Sequence, residues 1–383
     1  MGRRAFVVVL DACGVGALPD AADYGDAGAN TLGHLAQAAG GLDLPTLGAL
    51  GLGAVLPLEG VPPAEHPVLH GRLNALGFGK DSTAGHWELM GVVLSRPFPT
   101  YPHGFPPEVL SVVAGVSGRE VLCNSPCNGI EAIERFGAAH VESGGLIVYT
   151  SQDSVLQIAA HADVVAPEEL YRVCAEVRRG LPAGHAVGRV IARPFAGAAP
   201  EFKRTDGRRD FALAPPSRSY LEELQAAEVE VRTVGKVGQL FAGVGIDAQH
   251  PGATNERALA ETTGLIDSLE RGLVFTNLVE TDQVYGHRHD IAGFHGALRE
   301  IDATVAQWLS LLRDDDLMIL TADHGCDPTS PRTDHTREHV PLLARFAGHG
   351  SRHHDGPLSD VGASVLAWLA GREAPSLPGR PFI

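Results

Sequence analysis

The sequence predicts an α/β protein, with a mostly parallel sheet flanked by helices and a second α/β domain inserted within it. Three observations carry that prediction. Short apolar runs, each the length of a buried strand, alternate with longer amphipathic stretches. Residues capable of chemistry stand just past the ends of those runs. Two proline-rich segments, 97–107 and 215–216, bracket a middle block with strands and helices of its own.

In chain order the apolar runs are residues 6–10, 146–149, 229–234, 273–279 and 317–320, and the stretches 167–181, 218–228 and 292–312 read as helices between them. Alternation of this kind builds parallel sheets, whose ligands gather at the carboxyl ends of the strands. Asp11, Asp282, Asp323 and His324 lie just beyond such ends, so separate strands are expected to deliver them to one rim. The expected division is a discontinuous core, 1–97 with 214–383, around an inserted domain, 98–213. No repeat or low-complexity tract interrupts this order.

Bulk properties narrow the function. With 383 residues, 44% hydrophobic and 20% charged, the chain can bury a large core and accommodate two domains. A net charge of -16 repels nucleic acid and anionic membranes, so neither is expected as a partner; an anionic small substrate needs a local positive site. Arg3 and Arg4 precede a short apolar run, but Asp11 interrupts it, so neither an export signal nor a membrane span is expected. The five cysteines are odd in number and scattered, which fits a reducing cytoplasm rather than a disulfide framework. Cys123 and Cys127 lack a second Cys or His pair at finger spacing, so no structural zinc is expected.

Two sets of residues carry the chemistry. The first is Asp11, Asp282, His287, Asp323, His324 and His335. An Asp after a strand is ordinarily a turn or cap residue, and an isolated His is ordinarily no ligand; their joint placement at strand ends reverses that reading. Three Asp and three His can form two three-ligand half-sites, and mixed oxygen and nitrogen donors suit Mn²⁺ or Zn²⁺. The second set is the segment 77–88, in which Ser82 and Thr83 follow Gly79-Lys80-Asp81. A small hydroxyl there starts a helix whose N–H groups favour an anion, and a neighbouring cation would make that hydroxyl a nucleophile.

Together Asp11, Gly79-Lys80-Asp81-Ser82, Gly85-His86-Trp87-Glu88, the 282–287 segment, Ala322-Asp323-His324-Gly325 and Asp334-His335-Thr336-Arg337-Glu338 resemble the phosphopentomutase family of the alkaline phosphatase superfamily. The likeness extends through Asn30-Thr31-Leu32-Gly33-His34 and the segment 151–161, so it covers essentially the whole chain. It implies an alkaline-phosphatase-like core with the middle block as a cap domain. It implies one metal held by Asp11, Asp323, His324 and the nucleophile, and a second held by Asp282, His287 and His335, both usually Mn²⁺. It further implies ribose contacts from Asp153, distal phosphate contacts from Arg189 and Arg204, and a core phosphate contact from Lys236.

The activity so implied interconverts ribose 1-phosphate and ribose 5-phosphate, and their deoxyribose equivalents, through a phosphorylated hydroxyl and a bisphosphate intermediate. Glucose 1,6-bisphosphate or ribose 1,5-bisphosphate is the expected activator. Sugar phosphates are the expected partners of an expected monomer. Three positions depart from the family pattern. Ser82 stands where Thr is common, with Thr83 beside it as the alternative nucleophile; Glu280 stands where Asp is common, and Cys326 where Asn is common.

Overall fold

In the computed structural model, which describes residues 2–151, 154–347 and 350–383, the apolar runs lie in two sheets belonging to two compact units. One unit joins the N-terminal segment ending at Arg96 to Pro215–Ile383; the other is Pro97–Ala214.

The first unit is built on a nine-stranded sheet. Strand Arg4–Leu10 is buried at every residue and runs parallel to Gly272–Leu278 on one side and Asp316–Thr321 on the other. Val231–Val234 and Ala248–His250 extend the parallel set beyond Gly272–Leu278. Near-continuous apolar strands are what a sheet covered on both faces requires. The register pairs Leu10 with Leu278 and Val9 with Thr321, so the three central strands end level with one another.

Beyond Asp316–Thr321 the sheet changes sense. Val340–Arg345 is antiparallel to both Asp316–Thr321 and Leu69–Asn74, and Arg352–His353 then pairs parallel with Leu69–Asn74. The sheet is thus mixed at one side. Leu69–Asn74 alternates buried and half-buried positions, as a strand near an edge does, rather than forming a continuous apolar run.

Helix Ile291–Leu311 shows how the faces are covered. The Asp290 side chain caps its first turn by accepting from Gly293 N–H, and Phe294, Ala297, Leu298, Ile301, Val305 and Trp308 form one buried stripe. Each large apolar side chain so buried stabilises by roughly 1.5–3 kcal/mol. Helix Ser82–Leu89 bears directly on the site. Asp81 caps it by accepting from Thr83 and Ala84 N–H, and a Cβ at Gly85 would come within 2.3 Å of the Asp323 carbonyl oxygen. Only glycine lets this helix press its first turn against the end of strand Asp316–Thr321.

The second unit has a six-stranded mixed sheet, ordered Val121–Pro126, Leu146–Thr150, Val155–His161, Arg189–Ala196, Lys203–Arg204, with Arg209–Ala212 also pairing to Arg189–Ala196. Alternate residues of its strands face two clusters. Leu146, Val148, Leu156 and Val190 pack with Val109, Leu170 and Val177, while Ile147, Tyr149 and Phe195 pack with Ala132 and Ile133. Among the described residues no helix is long and apolar enough to cross a membrane.

Candidate metal centre

The level ends of the central strands assemble the first group of donors. Asp11 N–H still donates to the Leu278 carbonyl at 3.2 Å, and the chain then turns sharply at Ala12, whose φ is 64°. Ala12 N–H donates to Asp323 Oδ1 at 3.2 Å, tying two strand ends together. His324 donates from Nδ1 to the Gly325 carbonyl at 3.0 Å. That fixes the ring so that Nε2 lies 3.4 Å from Asp11 Oδ1 and 3.4 Å from Asp323 Oδ2. Ser82 Oγ completes the group, 3.3 Å from His324 Nε2 and 3.5 Å from Asp11 Oδ1. The neighbouring Thr83 takes part through its backbone N–H, which donates to Asp81.

A second group adjoins the first. After Gly272–Leu278 the chain enters a π-helical turn, Thr281–Tyr285, and then the 3-10 turn Gly286–Arg288. Such turns re-aim side chains at functional sites. Here Asp282 Oδ1 lies 3.3 Å from both His287 Nε2 and His335 Nε2. His287 is oriented by donating from Nδ1 to the Thr333 carbonyl at 2.5 Å. The His335 ring centroid is 4.2 Å from that of His324, so the two groups meet there.

Several buried donors in this cluster lack partners. Asp282 Oδ1, Asp323 Oδ2 and His335 Nε2 have no hydrogen bond among the described residues. A buried carboxylate oxygen without a hydrogen bond is costly unless nearby positive charge offsets it. Asp11, Asp323 and His324 form one set of ligand atoms lying within 4.8 Å of one another, and Asp282, His324 and His335 form another. The orphaned oxygens and the mixed Asp and His donors fit divalent cations.

The local field agrees with this fit. Burial, with the Asp323 and Asp282 carboxylates added, pushes Asp11 up to about 7; half-buried Lys236, directly after strand Val231–Val234, pulls the other way. Burial also opposes ionisation of Asp282 and Asp323. The imidazoles of His335, His324 and His287 outweigh it at Asp282, those of His324 and His86 outweigh it at Asp323, and both carboxyls are held below the usual range. Burial lowers His324, but Asp323, Asp11 and Asp282 overcome it and raise the imidazole to about 9. A cation would take over the neutralising role that these protons otherwise fill.

Other residues hold the groups in place, and the sequence pattern did not single them out for this. His86 donates from Nδ1 to the Ser82 carbonyl at 2.9 Å, lies 3.0 Å from Asp323 Oδ2, and accepts at Nε2 from Asn277. The Asn277 amide also donates to Asp11 Oδ2 at 3.0 Å. Its one sequence signal is an amide inside an apolar strand. Lys80 reaches Asp26 and Asp334 at 3.0 and 3.1 Å, and Arg337 donates to the Gly79 carbonyl at 2.7 Å, so the loop before Ser82 is clamped from two sides. Glu338, fully buried, accepts from Thr31, Thr336 and Gly16.

The remaining expected contacts lie on the second unit. Arg189 begins strand Arg189–Ala196 and faces Asp210 at 3.5 Å, and exposed Arg204 lies against Tyr149. Asp153 falls outside the described residues.

The Metalloenzyme superfamily profile matches residues 3–371. The phosphopentomutase of Anaeromyxobacter dehalogenans (strain 2CP-1) is 48% identical, with 97% of each chain covered. That of Caldanaerobacter subterraneus subsp. tengcongensis is 48% identical over 90% of this chain and 87% of its own. That of Desulfitobacterium hafniense (strain Y51) is 42% identical over 100% of this chain and 99% of its own. With groups of side chains suited to divalent metals at the strand ends and such similarity along its whole length, the chain belongs to the phosphopentomutase family, within the metalloenzyme superfamily.

Proposed function

We propose that this enzyme moves a phosphoryl group between the C1 and C5 oxygens of ribose and deoxyribose, with Ser82 as its transient carrier. The observation that carries the reading is the position of Ser82 Oγ, 3.5 Å from Asp11 and 3.3 Å from His324, beside carboxylate oxygens that lack partners.

In this reading Asp11, Asp323, His324 and Ser82 hold one divalent cation, and Asp282, His287 and His335 hold the second, with Mn²⁺ the expected ion. When bound, the cations supply positive charge that favours the ionised serine and offsets the charge on the transferring phosphoryl group. The chain's own residues position the reactants. Asp81 fixes the helix start that carries Ser82, His86 and Asn277 hold the carboxylates at their angles, and Lys236 adds a positive charge near the rim.

The resting enzyme carries phospho-Ser82, primed by glucose 1,6-bisphosphate or ribose 1,5-bisphosphate. The free hydroxyl of an incoming pentose monophosphate forms a bond to that phosphorus as the Ser82 Oγ–P bond breaks, giving the 1,5-bisphosphate. The other phosphate of this intermediate then returns to Ser82, and the isomeric monophosphate leaves. Asp153, Arg189 and Arg204 are proposed to contact the sugar and its distal phosphate, and Lys236 to contact a phosphate at the core. Water must be kept from the phosphoenzyme for the exchange to balance.

The test supplies ribose 5-phosphate with Mn²⁺ and a catalytic amount of glucose 1,6-bisphosphate, and measures ribose 1-phosphate and free phosphate together. The proposal expects ribose 1-phosphate with no matching phosphate release. Stoichiometric phosphate release without isomerisation would assign the site to hydrolysis instead.

A further inference from the structure

Lys80 joins two loops that the scheme above uses separately. One, 79–82, ends at the proposed carrier Ser82; the other, 334–337, holds His335. The Lys80 ammonium lies 3.1 Å from Asp334 Oδ2 and 3.0 Å from Asp26 Oδ2, with 16% of its side chain exposed. Contacts also run the other way. Arg337 donates from Nη1 to the Gly79 carbonyl at 2.7 Å, and its backbone N–H donates to the same Asp26 Oδ2 at 3.0 Å. Asp334 meets Lys80 through one oxygen, while the other accepts from His335 N–H at 2.9 Å. An exposed ion pair alone contributes little. Here the Asp26 partner is 4% exposed and Arg337 spans the same gap, so the two loops are tied at several points.

We propose that Lys80 is a positioning residue that sets the Asp282, His287 and His335 cation position against the Ser82 hydroxyl, a role that rests on the two-cation reading above. His335 Nε2, 3.3 Å from Asp282 Oδ1, has no hydrogen-bond partner among the described residues, so its placement depends on the loop that carries it. Ser82 stands two residues after Lys80, at the start of the helix that Asp81 caps. A shift of either loop moves a cation ligand relative to the hydroxyl, and a misplacement of about 1 Å costs on the order of a hundredfold in rate. Charge and position act with opposite signs here. Removing a positive charge beside a cation site strengthens cation binding by electrostatics alone, whereas freeing His335 weakens it.

The test titrates Mn²⁺ into the metal-stripped full chain by calorimetry and follows phosphate transfer from glucose 1,6-bisphosphate to Ser82 by mass. The parent protein should bind two ions. In Lys80→Met one of the two affinities should fall about tenfold or more while the other holds, and Ser82 labelling should slow about a hundredfold. Lys80→Arg, which keeps a cation between the two carboxylates, should recover most of both. Asp334→Asn should weaken the same position, and the double variant should be no weaker than Asp334→Asn alone. Unchanged or tighter binding in Lys80→Met, or a double variant weaker than Asp334→Asn, would overturn the positioning role and leave the two-cation reading standing. A parent that binds fewer than two ions would overturn both. Lys80→Gln carries the same test if Lys80→Met does not fold.

Discussion

Strands Arg4–Leu10 and Asp316–Thr321 carry buried charges at both of their ends, and the two ends are finished in opposite ways. At the amino ends Arg4 donates from Nε and Nη2 to the two oxygens of Asp316 at 2.8 and 2.5 Å, and from Nη1 to the Ile266 and Leu269 carbonyls. Both side chains are 1% exposed, and the fork-to-carboxylate geometry leaves little unsatisfied. At the carboxyl ends Asp11, Asp323 and Asp282 crowd together, and Asp323 Oδ2 and Asp282 Oδ1 have no hydrogen-bond partner among the described residues. One end is closed by protein alone. The other needs an added positive charge, which is why the same pair of strands can serve stability at one rim and chemistry at the other.

That contrast can be broken by substitution. The largest effect is expected at the carboxyl rim. Ser82→Ala should reduce turnover by about ten-thousand-fold or more while leaving the melting temperature of the metal-free protein nearly unchanged. Steady-state assay and calorimetry on one preparation check both halves. Next, Asp323→Asn should remove one cation per chain, read by elemental analysis, and lower activity by about a thousand-fold. At the amino rim the pattern should invert. Asp316→Ala leaves Arg4 buried and unpaired and should cost about 3–5 kcal/mol of stability by denaturant titration, with kcat of the folded fraction preserved. A loss of kcat without loss of stability there would dissolve the distinction between the two rims.

Smaller effects sharpen it. His86→Ala should weaken metal affinity by about 10–100-fold, with activity partly recovered at high metal concentration, because His86 orients the site rather than reacting. In the metal-free protein pH should also separate the rims. Asp11 sits at about 7 when folded and near 3.9 when unfolded, and His324 at about 9 against about 6.5. Each therefore holds a proton in the folded state that the unfolded chain has released, Asp11 between about pH 4 and 7 and His324 between about 6.5 and 9, so stability falls as pH rises through those windows. The depressed carboxyls of Asp282 and Asp323 act oppositely, adding stability above about pH 4 that is lost on acidification. The melting temperature of chelator-treated protein should thus drop between pH 6 and 9, and His324→Asn should flatten the drop. A pH-independent melting temperature would contradict this account of the rim.

Much of this arrangement was legible in the sequence because it follows from where apolar runs stop. The positions of Asp11, Asp282, Asp323 and His324 after those runs foretold a shared rim, and the structure brings them together. What stayed hidden depends on contacts between distant segments. Asn277 reaches Asp11 across 266 positions and His86 across 191, and no spacing rule signals such a pair. The antiparallel side of the sheet was equally silent, since Leu69–Asn74 alternates polar and apolar residues and Val340–Arg345 contains Pro341. Cys326 was read only as a departure from the family pattern. Its nearness to Asp282 emerges from the chain's return through the π-helical turn.

The central claim is that the unsatisfied rim turns a serine hydroxyl into a phosphate carrier. The most direct measurement is peptide-level mass analysis of the Mn²⁺-loaded enzyme after incubation with glucose 1,6-bisphosphate. The account predicts a single phosphate on Ser82, absent from Ser82→Ala and retained in Thr83→Ala. A phosphate on Thr83, or none on either residue in an enzyme that turns over, would contradict it.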